Sequence, residues 1–120
     1  MQHIADFSSL GGVQSYLVSL KKNIGVQLIS TRKPADLYAP HVDARILGIR
    51  GMKILIKNRH SGVTIHNLAL SRMWKLISFF LDVLRVRNIY YHEHGCCWHN
   101  PYKDRNRYKR NLERVKHIIA

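Results

Sequence analysis

Two stretches of the chain bring together residue types that can do chemistry. The first is HEHGCCWH at residues 92–99, which packs three histidines, a glutamate and two adjacent cysteines into eight positions. On a strand, His92 and His94 share one face and Glu93 takes the other. His92 and His94 with Cys96 or His99 are the right types for zinc, but no second ligand pair with structural-site spacing lies elsewhere in the chain. Two other readings stand beside the metal. A buried histidine can simply be satisfied by a hydrogen bond, and a histidine at a strand end can face a ligand. The second stretch is FSSLGGVQSYLVSL at residues 7–20, in which Gly11 and Gly12 fall between a short apolar segment and a helical pattern. Glycines let a backbone approach a phosphate without a Cβ in the way, and a helix N-terminus offers unpaired N–H groups to an anion. A bare strand-to-helix turn explains the pair equally well. Neither a G-x-G-x-x-G fingerprint nor a Walker lysine is present.

The elements that must position these residues follow from periodicity. Strands are expected near residues 3–7, 26–30, 63–67, 88–92 and 117–120, each a short apolar run bounded by turn residues. Between the first two, Val13, Tyr16, Leu17, Leu20 and Ile24 recur at helical spacing, with Ser9 or a glycine as N-cap and Gly25 as the closing residue. Residues 31–50 read as irregular, with Pro34 and Pro40 marking loop. A short helix from Gly51 carries Met52, Leu55 and Ile56 and ends before Gly62. Ser71 can cap a further helix whose apolar face is Met73, Ile77, Phe80, Leu81 and Leu84, with Trp74 alongside. Pro101 opens a charged helix with a narrow apolar line of Tyr108, Leu112 and Val115. Alternating strands and helices imply right-handed βαβ units, hence an α/β fold in which a parallel sheet is covered on both faces.

The 120 residues are enough for one domain, and 46% hydrophobic with 22% charged residues is ordinary for a globular protein. The charge is not ordinary. Twenty Lys and Arg against seven Asp and Glu give +13, which favours anionic partners without choosing among nucleic acid, acidic membrane and phosphorylated ligands. Cys96 and Cys97 are neighbours and make no disulfide framework, so a reducing, cytoplasmic setting fits. The N-terminus does not have the pattern of a signal peptide. The most apolar run, MWKLISFFLDVLRV, is interrupted by Lys75, Asp82 and Arg85 and falls short of the ~20 apolar residues of a membrane span.

GGVQSYLVSL resembles the loop and first helix of family-4 glycosyltransferases, retaining enzymes of the two-domain GT-B fold. VTIHNLALS is similar to the family's strand ending in Ile-His, NIYYHEHG to its strand ending in His-Gly, and RVKHIIA to the strand just before the first domain closes. The four occur in the family's order across nearly the whole chain. The resemblance implies a three-layer Rossmann-like domain, one half of a GT-B fold, spanning residues 1–120 as an incomplete acceptor-side domain. It implies sugar transfer from a nucleotide-sugar donor to an acceptor, lipid-linked in many bacterial members, in glycan or cell-envelope polysaccharide synthesis. Gly11 and Gly12 would meet the donor diphosphate. His94 would be the catalytic residue beside the donor sugar, and Gly95 would leave space for it. No cofactor and no metal is expected. The family's donor-binding second domain and its paired glutamates have no counterpart here, so the chain is read as truncated and is expected not to transfer sugar alone. His66, which ends VTIH, lines the cleft edge or is structural, and the structural role is favoured.

Between Lys103 and Lys116 stand seven basic and two acidic residues, with Trp98, Tyr102 and Tyr108 as the aromatics in and before this stretch. A solvated helix face is the plainest account. Peripheral contact of Lys103, Arg105, Arg107, Lys109 and Arg110 with an anionic membrane, at its inner face, comes next. No motif for specific nucleic-acid recognition is present. The alternative to the enzyme is a non-catalytic basic module that binds nucleic acid or acidic membrane.

Overall fold

The computed structural model describes residues 2–68, 73–86 and 88–92, together with the backbone of 117–119. Strands β1 (Gln2–Ala5), β2 (Gln27–Ser30), β3 (Ala44–Arg45), β4 (Val63–His66), β5 (Ile89–His92) and β6 (His117–Ile119) form one sheet in the order β3-β2-β1-β4-β5-β6. Every pairing is parallel. Helices α1 (Gly12–Ile24), α2 (Ile49–Lys57) and α3 (Trp74–Val83) lie between strands in the chain. All five expected strands are present within a residue or two of their expected bounds. β3, two residues inside the stretch expected to be irregular, is a correction: it is too short to show any alternation, and it exists because Ile29 and Ser30 of β2 offer it a parallel edge.

The alternation of side chains along β1 and β2 sends residues to two cores, one on each side of the sheet. Ile4 and Ile29 join Ile46, Leu55 of α2, and Trp74, Ile77 and Leu81 of α3. Ala5 and Leu28 join Phe7, Tyr38, and Leu17 and Val18 of α1. Helices therefore cover both faces, the three-layer arrangement of a Rossmann-like domain. The register places Ile4 beside both Ile29 and Ile65, and Ile65 beside Tyr91, so one apolar row crosses four strands. Tyr91 is fully buried, with Trp74 edge-on at 5.9 Å between ring centroids.

The helix faces depart from the sequence pattern in detail. In α1, Leu17 and Val18 are buried and Val13 and Leu20 partly so, whereas Tyr16 and Ile24 are exposed at 51% and 68%. The helix is turned so that Val18, outside the expected stripe, meets the sheet. Ile24 sits in the last turn, just before Gly25 adopts φ 73° and donates its N–H to the Lys21 carbonyl, closing the helix as expected. α2 begins two residues earlier than expected, and Ile56 faces outward. Trp74, expected alongside the apolar face of α3, is in the core. The Ser71 cap and the basic helix, with Tyr108, Leu112 and Val115, lie outside the described residues. No helix among the described residues is long and apolar enough to cross a membrane.

Candidate functional site

The strand order reverses between β1 and β4: the chain proceeds from β1 outward through β2 to β3, then returns to β4 and continues to β5. In open α/β sheets the crevice at such a switch point, beyond the carboxyl ends of the strands, is where ligands bind. Two segments leave those ends here. After β1 comes the loop 6–11, leading into α1 at Gly12. After β4 comes Asn67, in the left-handed region at φ 53°, whose N–H donates to the His92 carbonyl.

The loop is held from below and left open above. Phe7 is fully buried and sets its ring edge-on to Tyr38 at 6.0 Å. The Tyr38 hydroxyl lies 3.4 Å from the Gly11 nitrogen and 3.3 Å from Ser15 Oγ. Gln14 reaches back to donate to the Asp6 carbonyl at 2.8 Å, and the Asp6 carboxylate is taken up by the Ser8 N–H at 2.9 Å. Residues 8–12 are exposed. The segment after β2 runs alongside, since Thr31 and Ala35 donate to the carbonyls of Ala5 and Phe7. It carries the exposed cations Arg32 and Lys33.

The N-terminus of α1 has Gly11 as its cap, with no side-chain hydrogen bond to it and no acidic residue in the first turn. The first N–H groups of a helix have no partner within the helix, and here none of the described residues supplies the usual capping carboxylate or hydroxyl. Gly12 is the more informative glycine. A Cβ there would meet no atom of the described residues within 4 Å, and its backbone is not in the left-handed region. Among the described residues, packing does not require glycine at this position. Gly51 is the contrast: a Cβ there would lie 2.1 Å from the Arg45 carbonyl oxygen, so its absence is structural. At Gly11 a Cβ would meet Gln14 Oε1 at 2.6 Å, the movable end of a side chain.

On the sheet face that carries α1, three histidines gather on β1, β4 and β5, with His3 set diagonally to the His66–His92 pair. His3 pairs with Thr64, and His66 pairs with His92. His3 Nδ1 and His66 Nε2 are 2.8 Å apart, so one ring donates and the other accepts. The rings stack at 5.1 Å, and His92 follows His66 at 5.5 Å. His3 and His66 are buried, at 8% and 2% exposure. Burial pushes the His3 pKa down to about 4, with the positive charges of the chain's amino terminus and His92 adding to it.

Gly11 and Gly12 thus stand at the switch point. His94 and Gly95 lie outside the described residues, as do Cys96, His99 and the five basic residues Lys103, Arg105, Arg107, Lys109 and Arg110. Of the candidate zinc ligands only His92 is described, and no group of three or more metal-ligating side chains suited to an ion occurs among the described residues. Sequence reasoning missed two partners. Tyr38 braces the glycine loop from a stretch read as irregular, and an aromatic in a proline-marked loop was the only signal. His3 was passed over as part of a strand; its bond to His66 spans 63 positions, and no local pattern announces it.

No protein-family model matches the chain, and no curated protein or solved structure does. The class is therefore the one the fold defines: a Rossmann-like α/β domain with an open, uncapped helix N-terminus at its switch point.

Proposed function

We propose that the chain is a glycosyltransferase-like domain that receives the diphosphate of a nucleotide-sugar donor on the loop 8–12 and the first turn of α1. The observation that carries this reading is Gly12, which opens α1 at the carboxyl end of β1, next to the strand reversal, where none of the described residues stands against a Cβ. The uncapped N–H groups favour an anion. Arg32 and Lys33 on the neighbouring segment add positive charge, and the +13 balance of the chain acts in the same direction at longer range. The acceptor would approach the same cleft. His94 and Gly95 enter by resemblance alone.

The test is nucleotide binding. Uridine, guanosine and adenosine diphosphates are titrated into isotopically labelled protein, and the backbone amide signals of residues 11–14 are followed. The expected result is a saturable shift of Gly12 and Val13 by at least one of the three. Gly12→Asp should abolish it while leaving the fold intact, because an acidic residue in a first helical turn suits the helix but repels a phosphate. Shifts absent from the loop for all three nucleotides, or unchanged by Gly12→Asp, would overturn the assignment. Turnover of nucleotide sugars by the 120-residue chain alone is not expected.

The second reading, a non-catalytic basic module, is favoured by the charge itself. Liposomes with and without acidic lipid, at near-physiological salt, separate it. If Lys103, Arg105, Arg107, Lys109 and Arg110 hold the chain to a membrane, neutralising all five should abolish the preference for acidic lipid.

A further inference from the structure

Helix α3 is apolar on two sides, although the sheet can cover only one. Trp74, Ile77 and Leu81 face the core. On the opposite side Leu76, Phe79 and Val83, spaced i, i+3 and i+7, are 38%, 62% and 59% exposed. An apolar stripe on the outer face of a helix marks a contact surface.

Helix α2 lies on the same side of the sheet, since its Leu55 joins the same core. Gly51 and Leu55 are its buried residues, and the face opposite them is divided lengthwise. Ile49 and Ile56, two turns apart, are 75% and 45% exposed, and Arg50, Lys53 and Lys57 stand exposed beside them. On α3, Lys75 adds an exposed cation, and Asp82 is the one acidic residue. From Ala44 to Leu81 the sequence has no acidic residue at all. The outer side of this helical layer therefore combines large apolar side chains with an excess of positive charge. The outer side of α1 is more polar, with Ser15, Ser19, Lys22 and Asn23 exposed between Tyr16 and Ile24.

Charge selects the occupant. A second copy related by a two-fold axis would set these cations against their own counterparts, with Asp82 alone to offset them. Nucleic acid would satisfy the cations but leave Phe79 and Val83 against a hydrated backbone. An anionic bilayer meets both halves of the surface: lipid phosphates take the Lys and Arg heads, and the acyl boundary receives the apolar side chains. The long basic side chains can lay their stems along the interface and keep their charge at the headgroups.

We propose that the outer surface of α2 and α3 seats the domain on an anionic lipid bilayer, with Phe79 and Val83 entering the acyl boundary and Arg50, Lys53 and Lys57 resting on the lipid phosphates. The surface lies across the sheet from α1 and its glycine loop, and it uses none of Lys103, Arg105, Arg107, Lys109 and Arg110. The proposal therefore stands or falls apart from both readings of the function.

The test is co-sedimentation with vesicles of phosphatidylcholine, and of phosphatidylcholine mixed with phosphatidylglycerol, at near-physiological salt. Bicelles of the mixed composition that carry a nitroxide-labelled lipid then map the contact. The protein should bind the mixed vesicles at least about tenfold more tightly than the neutral ones, and the nitroxide should broaden the amide signals of α2 and α3 more than those of α1. Phe79→Ser with Val83→Ser should weaken binding about tenfold. Arg50→Gln with Lys53→Gln and Lys57→Gln should weaken it about a hundredfold, roughly fivefold for each cation. These side chains are exposed, so thermal unfolding of both variants should match the wild type. Neutralising the five basic residues between 103 and 110 should leave the broadening of α2 and α3 in place. Equal binding to the two kinds of vesicle, no binding to either, broadening centred on α1, or wild-type affinity in either variant would each overturn the proposal. So would a concentration-dependent dimer that Phe79→Ser with Val83→Ser abolishes, which would give the face to a second copy.

Discussion

Acidification should destabilise this domain through His3. The ring is 8% exposed, stacked on His66, and held neutral by burial, with its pKa lowered from 6.5 to about 4. In the unfolded chain the same ring protonates near 6.5, so between these values the unfolded state binds more protons than the folded one. The contribution to stability is therefore fully present above about pH 6.5 and declines as the pH falls towards about 4, where the folded ring finally accepts its proton. A displacement of this size corresponds to about 3 kcal/mol at full extent, a large share of the ~5–15 kcal/mol that holds a domain of ordinary stability. His66 is hydrogen-bonded to the ring, and the positive charges of His92 and the chain's amino terminus add to the cost of protonating it. Urea unfolding followed by circular dichroism, repeated at intervals from neutral pH to about 4.5, should show stability falling by about 2–3 kcal/mol across that window. In the same series His3→Asn, whose amide can take the place of Nδ1 opposite His66, should lose most of the slope. The direct measurement is the His3 ring-proton shift: a midpoint near 6.5 in the folded protein would refute the argument, whatever the urea data show.

Three other outcomes follow from named contacts. Gly51→Ala should destabilise by about 1–3 kcal/mol in chemical denaturation, because the added Cβ meets the Arg45 carbonyl at 2.1 Å and must push β3 or α2 aside. Asp43→Ala should cost about 2 kcal/mol, since its carboxylate accepts from the Leu28 N–H at 2.8 Å and pairs with Lys21 at 2.8 Å, tying the segment before β3 to β2 and α1; high salt should recover little of the loss if the buried N–H bond dominates. Tyr38→Phe keeps the ring against Phe7 but removes the hydroxyl beside Gly11 and Ser15, so stability should fall by only about 1 kcal/mol. The amide exchange of Gly11 and Gly12 should rise by more than that of α1 as a whole.

The sequence by itself determined the order of elements and the class of fold. Runs such as VQLIS and VTIH have too few positions for a helix and are β-branched and apolar, and each is separated from the next by a pattern of helical period or by proline and glycine. That is local information, carried by propensity and by the side-chain period of each segment. The glycine loop was legible for the same reason: Gly11 and Gly12 stand in the chain where a strand must become a helix. What the sequence left open were quantities set by distant partners. Val18 rather than Tyr16 faces the sheet because Leu28 and Ala5 lie there to receive it. β3 is a strand only because β2 presents its edge. Gly12 and Gly51 are the same letter, and only the neighbouring atoms separate an open site from a packing requirement. His3 and His66 look like unrelated strand residues until the return of the chain from β3 to β4 sets their strands side by side. Gln2 and Gln27 likewise become neighbours only through the β1–β2 register, and that the buried Gln2 Oε1 finds no donor among the described residues is a property of packing, because whether a buried polar group finds its partner depends on where the rest of the chain has come to lie.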